Sequence, residues 1–599
     1  MDILKILEDR DRIAPDAMAL CAPGRKPISY SALHAHVVRT AAALRRRGVS
    51  CDDIVALVLP NGPEMASAFL SVTAAAVCAP LNPAYRADEL EFYLSDLPAR
   101  ALVIAGLPDS PARDVARRLQ LPVIELDWSP DDPAGLFTLD GALADSSDNS
   151  LESPRADDVA LVLHTSGTTS RPKIVPLTHA NLSASARHIS ATLQVTPEDR
   201  CLNVMPLFHI HGLVAALLAS LESGGSVVCT PGFLAPSFFG WMEEFKPTWY
   251  TAVPTMHASI LSRAEANGAT TDSHTLRFIR SSSAALPRPT LAQLEKIFRV
   301  PVIEAYGMTE AAHQMASNPL PPAVRKAGTV GPAAGPSISV LDADGRPVAA
   351  GLRGEVAITG PNVTKGYARN PGANAATFIN EWLRTGDEGS LDEDGYLTIL
   401  GRLKEVINRG GEKISPMEVD EVLMAHPAIA QAVTFAASDA VLGEEVAAAV
   451  VLREGMTVSE RQVREFVSVH LAHFKVPRRV LFMPSIPTGP TGKLQRIGLA
   501  ERLGVAFDAP ATSAVKYVAP RSPVEEVLAS IWSSVLASEP PGIDENFFYA
   551  GGDSILAAQF VARVRDTLAV EISLLSFFDS PTVGGVASVV EEAMAAEYS

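Results

Sequence analysis

The segment HTSGTTSRPK, residues 164–173, holds residue types that can bind phosphate. It follows an apolar run and gathers five hydroxyl side chains, one glycine and two cations. Backbone N–H groups of such a turn, hydroxyl donors and Lys173 can together offset the charge of a bound triphosphate. The segment is not a Walker A loop, because Pro172 stands where that motif needs glycine and no Ser or Thr follows Lys173. Composition alone leaves a polar surface loop open as the alternative.

A second candidate for chemistry is Ser554, which ends the segment FFYAGGDS and precedes a helical pattern. A serine at a helix start is usually only a cap. A helix N-terminus also favours anions, so the same position suits a serine that carries a phosphodiester. The residues by themselves leave both interpretations open.

The elements that must position these groups begin with a long α/β pattern. From about residue 28 to 400, Ala- and Leu-rich helical patterns alternate with short apolar runs such as IVALVL at 54–59 and ALVI at 101–104. This alternation is typical of an α/β domain with buried parallel strands. We therefore predict one such domain over residues 1–400.

A small α+β unit is predicted next, over residues 401–505. It opens with the basic stretch GRLKEVINRGGEK. The following SPME predicts a helix start, with Ser415 as cap, Pro416 at the first helical position and Glu418 closing a capping box.

The last module is predicted to be helical. Residues 506–519 are small, Pro-containing and weakly charged, as linkers often are. Ser522 and Glu525 repeat the capping signature, and apolar residues at helical spacing follow almost to the C-terminus. We predict a small helical bundle over residues 520–599.

Bulk composition excludes several classes of protein. A chain of 599 residues with 47% hydrophobic and 20% charged residues is typical of a multidomain globular protein. It has neither an apolar run of membrane-spanning length nor a secretory signal, so we expect a cytoplasmic location and no membrane role. A net charge of −18 disfavours nucleic acid as a partner. The five cysteines form no CxxC pair, so neither a disulfide framework nor a zinc site is expected.

Six motifs occur in the order and approximate spacing of the adenylate-forming (ANL) superfamily, which the chain resembles over roughly its first 500 residues. They are TSGTTSRPK, MPLFHIHG, EAYGMTE, TGD, GRLK and PTGK. This superfamily contains acyl-CoA synthetases, luciferases and the adenylation domains of nonribosomal peptide synthetases. The resemblance implies a large α/β N-terminal domain, a small mobile α+β C-terminal subdomain, and activation of a carboxylic acid by ATP and Mg²⁺.

The resemblance also implies roles for individual residues. Thr309 contacts the α-phosphate, Glu310 holds Mg²⁺, Tyr306 stacks on adenine, Asp387 takes the ribose hydroxyls and Arg402 assists there. The phosphate loop contributes Thr165, Ser166, Gly167, Thr168, Thr169 and Lys173. Lys493 is the mobile lysine that bridges the substrate carboxylate and the α-phosphate, and Lys404 is the hinge of the subdomain. These groups suit the reaction, because attack on the α-phosphorus builds negative charge that needs a cation, a metal anchor and donors.

The C-terminal module resembles a peptidyl carrier domain, a four-helix bundle. The resemblance implies that Ser554 carries 4'-phosphopantetheine, attached by a phosphopantetheinyl transferase, with a DxFF-like segment from Asp544 to Phe548 upstream. A linker of about 14 residues gives a millimolar-range effective concentration, so loading within one chain is expected. The chain shows no thioesterase, reductase or condensation module after the carrier, so a downstream enzyme is expected to accept the acyl group.

The acid is predicted from the pocket motifs. Amino-acid-activating relatives place an aspartate early in the segment that here reads LFHIHG, where no acidic residue stands, so an α-amino acid is disfavoured. The detailed sequence of the motifs and their flanking residues is similar to that of the oxalate–CoA ligase branch. In that branch, a histidine after YGMTE and a serine-rich loop contact the distal carboxylate of the substrate. The candidate pocket residues are His209, also a catalytic candidate, Arg280, Ser281, Ser282, Ser283 and His313. Such donors suit a small dicarboxylic or polar acid.

Some features depart from that branch, and two alternatives stay open. Ile174 stands where many relatives have glycine, and oxalate ligases lack a carrier, so oxalate itself is in doubt. One alternative is a free acyl-CoA ligase with an appended carrier. The other is a non-catalytic carrier scaffold, which would require lost catalytic groups. Thr309, Glu310, Asp387, Arg402 and Lys493 are all present.

Overall fold

The computed structural model describes residues 2–105, 110–141, 154–165, 172–267, 273–410, 412–439, 442–487, 496–507, 517–536, 538–545, 547, 550 and 554–597. These residues form two compact units. The first comprises Met1–Val406 with Ser485–Ile497, and the second comprises Ile407–Pro484 with Gly498–Ser599.

The first unit is built from alternating strands and helices. Its strands are β1 (Met18–Cys21), β2 (Ile28–Ser29), β3 (Ile54–Val58), β4 (Val77–Pro80), β5 (Ala99–Ala105), β6 (Val123–Asp127), β7 (Thr138–Gly141), β8 (Val159–Thr165), β9 (Lys173–Thr178), β10 (Arg200–Asn203), β11 (Ser226–Cys229), β12 (Trp249–Ala252), β13 (Phe278–Ser281), β14 (Val302–Met308), β15 (His313–Ser317), β16 (Ser337–Leu341), β17 (Gly354–Thr359), β18 (Phe378–Ile379), β19 (Trp382–Leu391) and β20 (Leu397–Arg402). Its α-helices are α1 (Ile3–Ile13), α2 (Tyr30–Arg46), α3 (Pro63–Thr73), α4 (Ala87–Asp96), α5 (Pro111–Arg118), α6 (His179–Thr192), α7 (Ala219–Ser223), α8 (Phe238–Phe245), α9 (Pro254–Asn267), α10 (Arg288–Phe298) and α11 (Pro371–Thr377). A π-helix spans His211–Leu218 and a 3₁₀ turn spans Thr309–Ala311.

Three sheets organise this unit. A seven-stranded sheet has the order β7-β6-β5-β3-β4-β8-β9, and an eight-stranded sheet has the order β15-β14-β13-β12-β10-β11-β1-β2. Their central strands pair in parallel and are almost completely buried, as expected for strands covered on both faces. The third sheet is antiparallel, with the order β16-β17-β19-β18 and with β20 beside β19. The predicted α/β class is confirmed.

Two parallel strands bring the pocket and the nucleotide motifs to one edge. β13 and β14 run in parallel with Ser281 opposite Glu304, so the chain beyond each strand leaves the sheet on the same side. Gly307 follows in β14, and a Cβ there would lie 1.8 Å from the carbonyl oxygen of His313. Only glycine allows β14 and β15 to approach this closely.

The second unit begins at Ile407, while Gly401 and Arg402, near which the sequence placed its start, lie at the end of β20. Its strands are β21 (Ile407–Arg409), β22 (Glu412–Ile414), β23 (Ile429–Asp439), β24 (Gly443–Leu452), β25 (Arg479–Phe482) and β26 (Ala506–Phe507). Its α-helices are α12 (Pro416–Ala425), α13 (Glu460–His470), α14 (Leu499–Leu503), α15 (Pro523–Leu536), α16 (Ser554–Leu568), α17 (Leu574–Asp579) and α18 (Val583–Glu597), and a 3₁₀ turn spans His473–Lys475. β21 to β26 form one sheet around the long antiparallel β23–β24 pair.

The predicted helix start at Pro416 is confirmed, but the capping box is wrong. The Ser415 side chain makes no cap hydrogen bond, and the Glu418 carboxylate pairs with Lys475 Nζ at 2.7 Å. A charged partner competes successfully with a backbone N–H for this carboxylate. At the second capping signature, Ser522 does accept the Glu525 N–H at 3.2 Å, while the Glu525 carboxylate binds the Arg521 guanidinium.

Helices α15 to α18 share an aromatic core. Trp532 meets Phe547 edge-on with ring centroids 4.8 Å apart, and Phe560 and Phe577 pack on the same ring of Phe547. Phe547, from the DxFF-like segment, is therefore a core residue. Among the described residues, no helix is both long and apolar enough to cross a bilayer.

Candidate active site

Three residues predicted to bind the nucleoside meet at one corner of the first unit. Asp387 in β19 and Arg402 in β20 are cross-strand partners, and Arg402 Nε lies 2.7 Å from Asp387 Oδ1. The Tyr306 hydroxyl, from β14, donates to Asp387 Oδ2. Burial lowers the pKa of Arg402, but Asp387 together with Tyr306, Glu405 and Glu310 outweighs it and raises that pKa overall. The arginine stays charged, and it holds the carboxylate where hydroxyl groups of a sugar can donate to it.

A second group surrounds the Glu310 carboxylate. Thr309 and Glu310 form the 3₁₀ turn directly after β14. The Tyr367 hydroxyl donates to Glu310 Oε1 at 2.9 Å, and Lys173 Nζ lies 4.4 Å from the centre of the Tyr367 ring. Burial and the Glu310 charge raise the pKa of Tyr367, so its hydroxyl remains a donor.

The residues present fit Mg²⁺. Glu310 is 6% exposed, and within the described part of the chain no cationic side chain forms an ion pair with it. A buried carboxylate of this kind suits a hard cation that also takes phosphate and water oxygens. Among the described residues, no group of three or more His, Cys, Asp or Glu side chains is placed to hold a metal ion.

The pocket candidates form a third, deeply buried cluster centred on Arg280. Its Nη1 lies 3.4 Å from His211 Nε2, and its Nη2 lies 3.5 Å from His313 Nδ1 and 3.3 Å from Gln314 Oε1. The His211 ring contacts the Thr251 hydroxyl at 2.6 Å through Nε2. The His211 and His313 rings lie side by side, with centroids 4.8 Å apart.

The Arg280 charge has no anionic counterpart in this cluster. The side chain is 0% exposed, and among the described residues no carboxylate lies within ion-pair distance of it. Burial alone lowers its pKa to about 9. Its Nε has no hydrogen-bond partner. A buried, unpaired guanidinium is costly, so a site of this kind is suited to an incoming anion.

The backbone around this cluster is unusual. His313 has φ +99° and Ser283 has φ +73°, conformations that side-chain-bearing residues seldom adopt. His211 opens a π-helix, a form that occurs frequently at functional sites. Strained and rare backbone of this kind tends to persist where a site requires it.

The remaining pocket candidates lie around Arg280. Ser283 Oγ contacts His211 Nδ1 at 3.0 Å, Ser282 Oγ donates to a backbone carbonyl, and Ser281 Oγ is buried without a partner. His209 is less buried, and its Nδ1 accepts the backbone N–H of His211 at 3.3 Å. The structure therefore puts His211, rather than His209, against Arg280.

The other predicted residues lie in several different elements of the chain. Thr165 ends β8 and Lys173 begins β9, directly opposite each other. Ile174 is buried in β9. Lys404 lies just before the first unit ends at Val406, and Ser554 is the first residue of α16. Ser166, Gly167, Thr168, Thr169 and Lys493 lie outside the described residues.

Sequence reasoning missed four residues of these clusters: His211, Thr251, Gln314 and Tyr367. His211 lies in the motif MPLFHIHG and is followed by the apolar run GLVAALL. This apolar run indicates that His211 lies deeper in the fold than His209. Thr251, Gln314 and Tyr367 carry no motif that marks them.

Comparison with known proteins identifies the family. Residues 7–368 match the AMP-binding enzyme family, residues 418–493 match the AMP-binding enzyme C-terminal domain, and residues 526–590 match the phosphopantetheine attachment site. The chain belongs to the AMP-binding enzymes.

Individual relatives agree with this. The chain is 45% identical over 499 residues to an oxalate–CoA ligase of Arabidopsis thaliana, a match that covers 82% of this chain and 96% of the relative. It is 36% identical to a sulfoacetate–CoA ligase of Cupriavidus necator over 81% of this chain and 94% of the relative. Its structure is similar to that of ATP-bound MatB from Rhodopseudomonas palustris, with a TM-score of 0.74 and 30% identity over 84% of this chain and 99% of the other.

The predicted superfamily, reaction class and cofactors are confirmed. This AMP-binding enzyme is an AMP-forming acid–thiol ligase that uses ATP and Mg²⁺, and it is fused to a carrier domain for 4'-phosphopantetheine.

Proposed function

We propose that this AMP-binding enzyme activates a small carboxylic acid with a second anionic group and loads it onto the phosphopantetheine arm of Ser554. The observation that carries the substrate class is Arg280, a fully buried guanidinium with no carboxylate partner among the described residues. An α-amino acid fits poorly, since its ammonium group would meet this cation. The second anionic group of the acid would instead complete the ion pair.

The relatives support the same class. Oxalate and sulfoacetate, named for two of them, each carry an anionic group beside the reacting carboxylate. In this chain the groups within reach of such an anion are the Arg280 guanidinium, two imidazoles and the Thr251 hydroxyl.

Activation is assigned to the first two clusters. An oxygen of the substrate carboxylate attacks the α-phosphorus of ATP, the bond to the bridging oxygen breaks, and pyrophosphate leaves. Tyr306, Asp387 and Arg402 would orient the nucleoside, while Thr309 and Lys493 would donate to the charge that develops at the α-phosphate. Glu310 would hold Mg²⁺, which supplies positive charge to the phosphate oxygens.

Thioester formation follows on the carrier. Ser554 would hold the arm, and the arm would supply the thiol that accepts the acyl group, with AMP as the leaving group and the thiol proton passing to solvent. A phosphopantetheinyl transferase must first attach the arm, and a downstream enzyme then takes the acyl group from it. The helix start at Ser554 favours an anion such as the phosphodiester of the arm.

A second candidate function is a ligase that uses free CoA and carries an appended carrier. The relatives are named as CoA ligases, which favours it. The two candidates differ only in the thiol that accepts the acyl group, and a competition between CoA and the carrier separates them.

The substrate class is tested by acid-dependent ATP–pyrophosphate exchange with the wild-type chain. The panel pairs oxalate, malonate, succinate and sulfoacetate with acetate, propionate and glycine. We expect kcat/KM for at least one doubly anionic acid to exceed that for acetate, propionate and glycine, which each have a single anionic group, by about tenfold or more, since a charge-assisted hydrogen bond contributes about 1.5–3 kcal/mol. A preference for acetate or glycine would overturn the proposal.

A further inference from the structure

Tyr367 joins two groups of the ATP site that come from distant parts of the chain. Its hydroxyl donates to Glu310 Oε1 at 2.9 Å, and its ring lies 4.4 Å from Lys173 Nζ. The side chain is 7% exposed. One aromatic residue thus contacts both the carboxylate assigned to Mg²⁺ and the lysine of the phosphate loop.

The backbone of Tyr367 is held on both of its sides. Its N–H donates to Asn374 Oδ1 at 2.7 Å, and Asn374 Nδ2 donates back to its carbonyl at 3.0 Å. The next residue, Ala368, donates its N–H to the Ile174 carbonyl in β9 at 3.0 Å. Gly366 has φ +145°, and a Cβ there would lie 3.0 Å from Asn374 Oδ1. The tyrosine is therefore fixed against β9, the strand that carries Lys173.

These contacts act on the two neighbours differently. The hydroxyl donates to one oxygen of Glu310 and so restrains the orientation of the carboxylate, as partners of metal ligands commonly do. The ring attracts the Lys173 ammonium by a cation–π interaction, which restrains a long flexible side chain. Removing the hydroxyl alone would release only Glu310, while removing the ring would release Lys173 as well.

We propose that Tyr367 is a positioning residue that orders Glu310 and Lys173 together before ATP binds. This inference rests on the assignment of Glu310 to Mg²⁺ in the proposed function. Tyr367 touches neither ATP nor the acid in this account. Its effect passes through the geometry of the two groups that it holds.

Tyr396 supplies a matched control. Its ring also lies under a lysine, with Lys326 Nζ 4.3 Å from the ring centre, and its hydroxyl also donates, at 2.5 Å, to the Val324 carbonyl. These contacts involve none of the ATP-site residues. A Tyr396→Phe variant therefore makes the same chemical change in a similar setting without reaching Glu310.

The test measures ATP affinity by calorimetry on the full chain, in excess Mg²⁺ and in excess EDTA. Tyr367→Phe should weaken ATP binding in Mg²⁺ by about tenfold and leave binding in EDTA unchanged. The reason is that removing a hydrogen-bond partner of a metal ligand typically lowers metal affinity or activity about 10- to 100-fold. Tyr367→Leu should in addition weaken binding in EDTA by about two- to fivefold, because the lysine contact is lost. Tyr396→Phe should change neither value.

Equal ATP affinities for Tyr367→Phe and wild type in Mg²⁺, or equal losses in Mg²⁺ and EDTA, would overturn the inference. The Glu310→Gln variant distinguishes a wrong role for Tyr367 from a wrong assignment of Glu310 to Mg²⁺. If Glu310→Gln binds ATP normally in Mg²⁺, the Mg²⁺ assignment is wrong. If Glu310→Gln loses the Mg²⁺-dependent affinity and Tyr367→Phe keeps it, only the role of Tyr367 is wrong. Thermal unfolding of each variant identifies any that loses affinity by unfolding.

Discussion

Arg280 and Gln314 meet inside the first unit, with Nη2 of the guanidinium 3.3 Å from Oε1 of the amide. The amide is itself oriented, since Gln314 Nε2 donates to the Ala334 carbonyl at 3.0 Å. A neutral acceptor orients the guanidinium without neutralising it. The arrangement keeps a positive charge available for the second anionic group of the acid.

Arg280→Gln should reduce kcat/KM for the best doubly anionic acid by about 10- to 150-fold, which corresponds to about 1.5–3 kcal/mol for a charge-assisted hydrogen bond. Activity with acetate should change much less, because acetate has no second charge to bind. Pyrophosphate exchange with both acids measures the difference. Arg346→Gln, in an exposed turn beside Asp344, is the control and should behave as wild type with both.

Gly307→Ala should destabilise the first unit and abolish adenylation. The added Cβ would lie 1.8 Å from the His313 carbonyl oxygen, so β14 and β15 must separate. We expect a loss of about 2 kcal/mol or more, in the range of overpacked sites. Gly372→Ala in α11 has no atom within 4 Å of the new Cβ and should be neutral or stabilising. Thermal unfolding of both variants checks this, and similar melting temperatures for the two would contradict it.

Stability should fall as the pH drops below about 6.5, in part because of His179. Burial lowers the pKa of His179 to about 4, and its Nδ1 accepts the Ile3 N–H at 3.2 Å. In the unfolded chain this histidine takes up a proton near pH 6.5, whereas in the folded chain it does so only near pH 4. The free energy of unfolding therefore falls as the pH drops between these two values, by about 3 kcal/mol in total.

His179→Gln should flatten the dependence of the unfolding midpoint on pH between 6.5 and 4. The exposed His470 on α13, replaced by Gln, is the control and should retain the wild-type slope. An unchanged slope in His179→Gln would show that the site takes up its proton without cost.

Lys493→Ala should stop adenylate formation and leave the fold intact. Loss of one preorganised charge costs about 3–4 kcal/mol in the transition state, or about a hundredfold or more in rate. Acid-dependent pyrophosphate exchange measures this step. Near-normal exchange in the variant would refute the assignment of this lysine.

Motif order grouped Tyr306, Asp387 and Arg402 from sequence, and the structure brings them together, because β19 pairs with β20 and the Tyr306 hydroxyl on β14 donates to Asp387. The cluster around Arg280 was predicted less completely, because His211, Thr251 and Gln314 also contact it. His209 and His211 are two residues apart in one motif, and only the π-helix that starts at His211 decides which ring turns inward. Tyr367 reaches Glu310 across 57 residues of chain, a tertiary contact that no local pattern encodes. The Glu418 capping box failed for the same reason, since Lys475 arrives from a distant element.

Intact mass spectrometry measures activation of a doubly anionic acid and its transfer to Ser554 in one experiment. The phosphopantetheinylated chain is incubated with ATP, Mg²⁺ and each acid of the panel, with Ser554→Ala in parallel. We expect a small doubly anionic acid to add its acyl mass to the wild-type chain and Ser554→Ala to gain none. Acyl mass that persists in Ser554→Ala, or an arm that stays unloaded while added CoA is acylated, would contradict this expectation.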